Sequence, residues 1–123
     1  MNIWDKKFRG PEYFYGTEPN VFIKEWGQKL AIGEILTIAE GEGRNAVYLA
    51  QLNHKVTAWD YSSVGIDKTK ALAERSGVTV AADVYDLESV EWQENKWDAV
   101  VNIFGHLPEP VKQRTFAGIK KSL

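Results

Sequence analysis

Apolar positions along this chain change period from one segment to the next, and the changes mark out alternating strands and helices. Ile35, Leu36, Ile38 and Ala39 form a short apolar run that stops at Gly41 and Gly43, which predicts a strand entering a tight turn. Ala46, Val47, Leu49, Ala50 and Leu52 then recur at helical spacing. Lys55 to Trp59 predicts a β-branched second strand ending at Asp60. Ser62 or Ser63 can cap a helix running to about Arg75 or Ser76, with Gly77 at its end. Val78 to Ala82 predicts a third strand, and Trp97 to Phe104 a fourth. Pro108 and Pro110 open a final helix through about Lys121.

Upstream, residues 1–18 are aromatic and irregular. Pro19 is expected to open a helix at its first position, with Val21, Phe22, Ile23 and Trp26 as its apolar face, and Gly33 precedes the first strand. Residues 84–96 predict a turn or short helix followed by a loop. Strands that alternate with helices, joined by right-handed crossovers, give a mostly parallel sheet in the order 3-2-1-4. The expected fold class is α/β, a Rossmann-like three-layer α/β/α arrangement. A single domain is expected over 1–123, with an amino-terminal aromatic segment and helix over 1–33 and the core over 34–123.

Such a sheet places the turn after its first strand at the carboxyl edge, where nucleotide-like ligands bind. Glycines permit close backbone approach, and an acid at the tip of the second strand can accept hydrogen bonds from both hydroxyls of a ribose. Here the turn reads Ala39-Glu40-Gly41-Glu42-Gly43-Arg44-Asn45, without the third glycine of the dinucleotide pattern. At roughly 4 Å and an effective dielectric near 20, a carboxylate facing a phosphate costs about 4 kcal/mol per unit charge. Glu40 and Glu42 suit a ligand with an ammonium and a sulfonium instead, and the ligand's own carboxylate would fall to the helix start or Arg44. S-adenosylmethionine has that chemistry.

Five ordered motifs now carry a family resemblance. Trp4-Asp5 with Phe8, then Tyr13-Phe14-Tyr15-Gly16-Thr17-Glu18-Pro19-Asn20, resembles a W-D-x-x-[FY]…Y-x-Y-G-x-x-P-N signature. The glycine turn through Ala46, Asp60-Tyr61-Ser62, Asp83, and Phe104-Gly105-His106-Leu107-Pro108 supply the others. Together they resemble the class I S-adenosylmethionine-dependent methyltransferases, in particular the small bacterial group of the tellurite-resistance and thiopurine methyltransferases. The match runs from Trp4 to Leu123.

The resemblance implies cofactor contacts from Glu40, Gly41, Glu42, Gly43, Arg44, Asn45, Asp60 (ribose), Tyr61, Asp83 (the adenine-side acid, placed after the third strand), Val84 and Asn102. It implies methyl transfer to a small acceptor by in-line displacement at the sulfonium, with His106 and Tyr15 as the catalytic candidates on the acceptor side. His106 follows the fourth strand, and histidine changes charge near neutral pH; the same residue could instead orient its loop. Tyr15 could line the acceptor pocket or staple the amino-terminal segment to the sheet.

Two departures modify that expectation. The superfamily prefers an acid where Thr37 stands and glycine at Ala39, so Glu40 or Glu42 would take over the ammonium. The resemblance also expects a Pro-Gly-Gly turn and fifth to seventh strands, whereas this sequence stops at Ile119-Lys120-Lys121-Ser122-Leu123. It is expected to be the cofactor-binding half of the fold. Strand four would then stand at a sheet edge and favour a homodimer through that edge or the terminal helix.

Composition narrows the alternatives. The formal net charge is −2, so no broad basic field invites nucleic acid or an anionic membrane. Cysteine is absent, which excludes disulfides, thiolate metal sites and cysteine nucleophiles. No His/Asp/Glu cluster suggests a metal site. The segment MNIWDKKFRG has no apolar signal core, so a cytoplasmic protein is expected. Trp59, Trp92 and Trp97 are expected in the core or at its edge, and His54 at the surface of a polar turn. A non-catalytic cofactor-binding fragment or interaction protein is the competing class; a nicotinamide-dependent oxidoreductase fits the acidic turn poorly.

Overall fold

The computed structural model describes residues 18–38, 42–102 and 108–123. Its elements, in chain order, are α1 (Val21–Gly27), β1 (Glu34–Ile38), α2 (Arg44–Gln51), β2 (Lys55–Asp60), α3 (Ser63–Arg75), β3 (Val80–Val84), β4 (Ala99–Val101) and α4 (Glu109–Ser122). The strands form a four-stranded parallel sheet in the order β3-β2-β1-β4, as the alternating pattern predicted. Parallel strands buried on both faces need apolar residues at successive positions. Ile35, Leu36, Thr37 and Ile38 meet that demand and are all buried; Thr37 Oγ1 donates to the Thr57 carbonyl at 3.5 Å.

Alternation along the strands sorts side chains into two cores. On one face Ile35, Val56, Ala58, Val80 and Ala82 pack against Ile23 of α1, Ala46, Val47 and Leu49 of α2, and Ile66 and Leu72 of α3. On the other face Leu36, Ile38 and Trp59 pack with Leu87, Val90, Trp92 and Trp97, and Val111 and Ile119 of α4 lie against them. Trp59 centres this aromatic layer, with ring centroids at 4.6 Å from Tyr85, 5.3 Å from Trp92 and 6.1 Å from Trp97. The expected core placement of Trp59, Trp92 and Trp97 holds. Close approach explains Gly118 of α4: a Cβ there would run into the Trp92 indole.

Several expected boundaries move, each for a hydrogen-bonding reason. Asn20, not the first helical turn, receives the chain before α1: its side chain accepts from the Phe22 amide at 2.8 Å, leaving Pro19 outside the helix. The apolar face of α1 is also narrower than expected. Ile23 and Gly27 are buried, whereas Val21, Phe22 and Trp26 are exposed. β3 begins at Val80 instead of Val78 because the Val78 amide returns to the Ala73 carbonyl at 3.0 Å, closing the end of α3. β3 also continues to Val84, in register with Asp60, so Asp83 lies within it and not after it. β4 begins at Ala99 instead of Trp97 because the Lys96 and Trp97 amides donate to the Ser122 carbonyl of α4, at 2.7 and 3.0 Å. The expected end of this strand at Phe104 lies outside the described residues.

His54 departs furthest from expectation. It is buried, and its ring ties three segments together. Nδ1 accepts from the Gly33 amide at 3.3 Å, which assigns the proton to Nε2, 3.3 Å from the Gly27 carbonyl. A polar-looking turn thus supplies the pin that joins the end of α1, the entry to β1 and the start of β2.

Candidate functional site

All strands are parallel, so their carboxyl ends share one edge of the sheet, and the chain order reverses there between β1 and β4. Glu42, Gly43, Arg44 and Asn45 reach this edge at the start of α2, Asp60 and Tyr61 at the end of β2, Asp83 and Val84 as the last residues of β3, and Asn102 just after β4. Register places Asp60 beside Val84 and Trp59 beside Asp83. Glu40, Gly41, His106 and Tyr15 fall outside the described residues.

Gly43 is the N-cap of α2 in a left-handed conformation, φ 94°. Packing within the chain by itself requires glycine at this position. A Cβ at Gly43 would lie 2.6 Å from Thr69 Oγ1 and 2.8 Å from Thr69 Cα, so it is α3 that crowds the turn. Next to it, Glu42 turns its carboxylate to the same helix. Oε2 is 2.8 Å from Lys68 Nζ, and the Glu42 side chain retains 2% of its exposure. The sequence offers Glu42 to a ligand ammonium; in the fold its carboxylate has an ammonium partner from within the chain.

Asn45 is likewise engaged. Its Oδ1 accepts from the Asn20 amide at 2.7 Å, so the Pro19-Asn20 end of the amino-terminal motif is fastened to the glycine turn. No periodicity or local motif signals this pairing. Arg44, half-buried, opens α2.

At the tip of β2, Asp60 is buried and serves the backbone as well as the edge. Its Oδ1 accepts from the Ser62 amide at 2.9 Å, and its carbonyl accepts from the Tyr85 amide at 2.9 Å. Ser62 then caps α3, its Oγ accepting from the Gly65 amide at 3.0 Å. Tyr61 and Val84 are exposed beside it, and Asp83 projects from the face that carries Trp59. Across the edge, Asn102 Oδ1 is buried and has no hydrogen-bond partner among the described residues. Among the described residues no group of His, Asp and Glu is placed to hold a metal ion, and no helix is long and apolar enough to cross a membrane.

Comparison with known proteins agrees with this arrangement. Residues 35–123 match the family model described as a methyltransferase domain. A probable S-adenosyl-L-methionine-dependent methyltransferase, TehB of Haemophilus influenzae, is 26% identical over 101 residues, covering 72% of this chain and 35% of the relative. Among solved structures, a TehB-like SAM-dependent methyltransferase from Corynebacterium glutamicum superposes with a TM-score of 0.70 at 25% identity, covering 82% of this chain and 55% of that one. A SAM-dependent methyltransferase from Thiobacillus denitrificans, solved with S-adenosyl-L-homocysteine, gives a TM-score of 0.75 at 17% identity, covering 100% of this chain and 52% of that one, a likeness of fold alone. The chain spans about a third of the length of the curated relative it matches.

Proposed function

The chain belongs to the methyltransferase domain family, and from that premise we propose that it binds S-adenosylmethionine at the carboxyl edge of β1 and β2 and serves methyl transfer to a small acceptor. The observation that carries this reading is Asp60: a buried carboxylate at the tip of β2, facing the edge on which the glycine turn also opens. The residues fit the cofactor. A carboxylate has about four lone-pair sites, which suits Asp60 to accept from ribose hydroxyls while it also holds the Ser62 amide. Asn102 Oδ1, a buried acceptor without a partner among the described residues, suits a donor such as the ammonium of the methionine portion. Asp83, Val84 and Tyr61 stand where adenine would rest.

When bound, S-adenosylmethionine supplies a methyl group already activated by its sulfonium. The chain's residues therefore have to bind and orient more than to activate. Asp60 orients the ribose, and the turn at Glu42–Asn45 sets how deeply the ligand sits. His106 and Tyr15 are the candidates for the acceptor side, His106 as a base only where the acceptor must first lose a proton. An overall charge of −2 with no broad basic field favours a small molecule over nucleic acid as acceptor.

Calorimetric titration with S-adenosylhomocysteine and, separately, NAD tests the reading. The homocysteine product is expected to bind and NAD is not. Asp60→Ala is expected to weaken binding by about tenfold or more, since each charge-assisted hydrogen bond contributes about 1.5–3 kcal/mol. Asp60→Asn, which keeps an acceptor for the Ser62 amide, separates this loss from damage to the start of α3. Binding of NAD in place of the homocysteine product would overturn the reading.

A further inference from the structure

Two neighbours in the glycine turn are held by two neighbours on α3. Lys68 takes Glu42 through a buried ion pair at 2.8 Å, and Thr69 packs so tightly on Gly43 that no side chain fits between them. The same helix is fastened at its start to Asp60. Asp60 Oδ1 holds the Ser62 amide, Ser62 Oγ holds the Gly65 amide, and Thr69 Oγ1 donates to the Gly65 carbonyl at 2.9 Å. The stretch from Ser62 to Thr69 is about 10 Å of helix, a length that hydrogen bonding keeps from stretching. One rigid piece thus touches both the turn after β1 and the acid at the tip of β2.

We propose that Lys68 and Thr69 are positioning residues for the cofactor, with the first two turns of α3 acting as a strut that fixes the glycine turn relative to Asp60. This rests on the cofactor reading above. Neither residue belongs to a motif, and their part is to hold Glu42 and Gly43 where the ligand's contacts require them. The ion pair supplies the restraint. With 2% of its side-chain exposure left, the Glu42 carboxylate is desolvated, so taking away the Lys68 ammonium leaves its charge less balanced and shifts the turn that carries it.

The sign of one effect separates this from a direct role for Glu42. If Glu42 attracted the ligand's ammonium itself, removing the Lys68 ammonium would strengthen binding, because a competing positive charge is gone. The strut requires the opposite. Lys68→Met is expected to raise the dissociation constant for S-adenosylhomocysteine by about tenfold or more, the usual scale for a misplaced binding group, while Lys68→Arg stays within about threefold.

A double variant, Glu42→Gln with Lys68→Met, also removes the charge that Lys68 balanced. It is expected to regain the melting temperature lost in Lys68→Met while its affinity stays low. Titration calorimetry and melting curves on the purified chain read the two quantities separately, and the double variant carries the test if Lys68→Met does not fold. Tighter or unchanged binding by Lys68→Met, or affinity that recovers in step with stability in the double variant, would overturn the strut and leave the cofactor assignment standing. A wild-type chain that binds no S-adenosylhomocysteine overturns both.

Discussion

Replacing Gly43 with alanine is expected to destabilise the chain before any ligand is considered. Two costs add. The residue has φ 94°, and a non-glycine residue in the left-handed region costs about 1–2 kcal/mol. The new methyl group would also meet Thr69 Oγ1 at 2.6 Å, Cγ2 at 2.7 Å and Cα at 2.8 Å. Rotating the threonine side chain can relieve the first two clashes but not the third, which is with the backbone of α3. Overpacking of this kind costs about 1–3 kcal/mol, so the total is about 2–5 kcal/mol. For a domain of this size that is a fall in melting temperature of about 10–20 °C. Circular dichroism melts of wild type and Gly43→Ala, without ligand, measure it. Thr69→Ala in the same background should recover only part of the loss, because the clash with the α3 backbone and the left-handed strain persist. A ligand-free Gly43→Ala protein melting within about 2 °C of wild type would refute the reasoning; the glycine would then serve only the approach of a ligand.

His54→Phe fills the same space but strands the Gly33 amide and the Gly27 carbonyl, each worth about 1–3 kcal/mol when buried without a partner; an unchanged urea midpoint would sink the pin assigned to it. Gly118→Ala drives a methyl group into the Trp92 indole, expected to cost about 1–3 kcal/mol and to shift tryptophan emission to the red as α4 is displaced. Wild-type emission and stability would show that α4 does not lie on that ring. β4 pairs with β1 on one side and is the outermost strand of the described sheet, so concentration-dependent self-association is expected by light scattering. A strictly monomeric species over a wide concentration range would count against it.

What the sequence disclosed about the fold depended on how locally each element was determined. β1 and β2 were legible because their apolar runs end on residues that cannot continue them, the glycine turn in one case and Asp60 in the other. The start of α3 was legible for a similar reason, Ser62 supplying its own cap. β3 and β4 were displaced because amides that look ready for a sheet are spent elsewhere, Val78 on the preceding helix and Lys96 and Trp97 on the Ser122 carbonyl. Nothing in the strand pattern encodes that competition. The apolar stripe of α1 misled differently: four apolar residues suggested a buried face, yet of them Ile23 alone is buried, with Gly27 set against α2. Hydrophobicity shows that a residue tolerates burial, and partners decide whether it is buried. His54 is the converse, a polar residue buried because two backbone groups need its ring nitrogens.

The candidate site divides along the same line. Glycines and a strand-tip acid could be singled out because a nucleoside-like ligand calls for those residue types at those places, and Asn102 only through the family resemblance. The residues that hold them could not. Asn20 grips Asn45 from 25 positions away, and Lys68 grips Glu42 from 26. Periodicity is read over windows of about 11–18 residues, and both pairings lie beyond that reach. Lys68 and Thr69 also look ordinary where they stand, a lysine and a threonine midway along an amphipathic helix. The consequence is physical. A motif proposed as a ligand contact is also a joint between elements, so substitutions at Glu42, Gly43 or Asn45 are expected to change stability whatever they do to binding. A loss of affinity at these positions identifies a ligand contact only when stability has been measured beside it. Asp60→Asn, which spares the joint while altering the charge, is the substitution that isolates the chemistry from the scaffold.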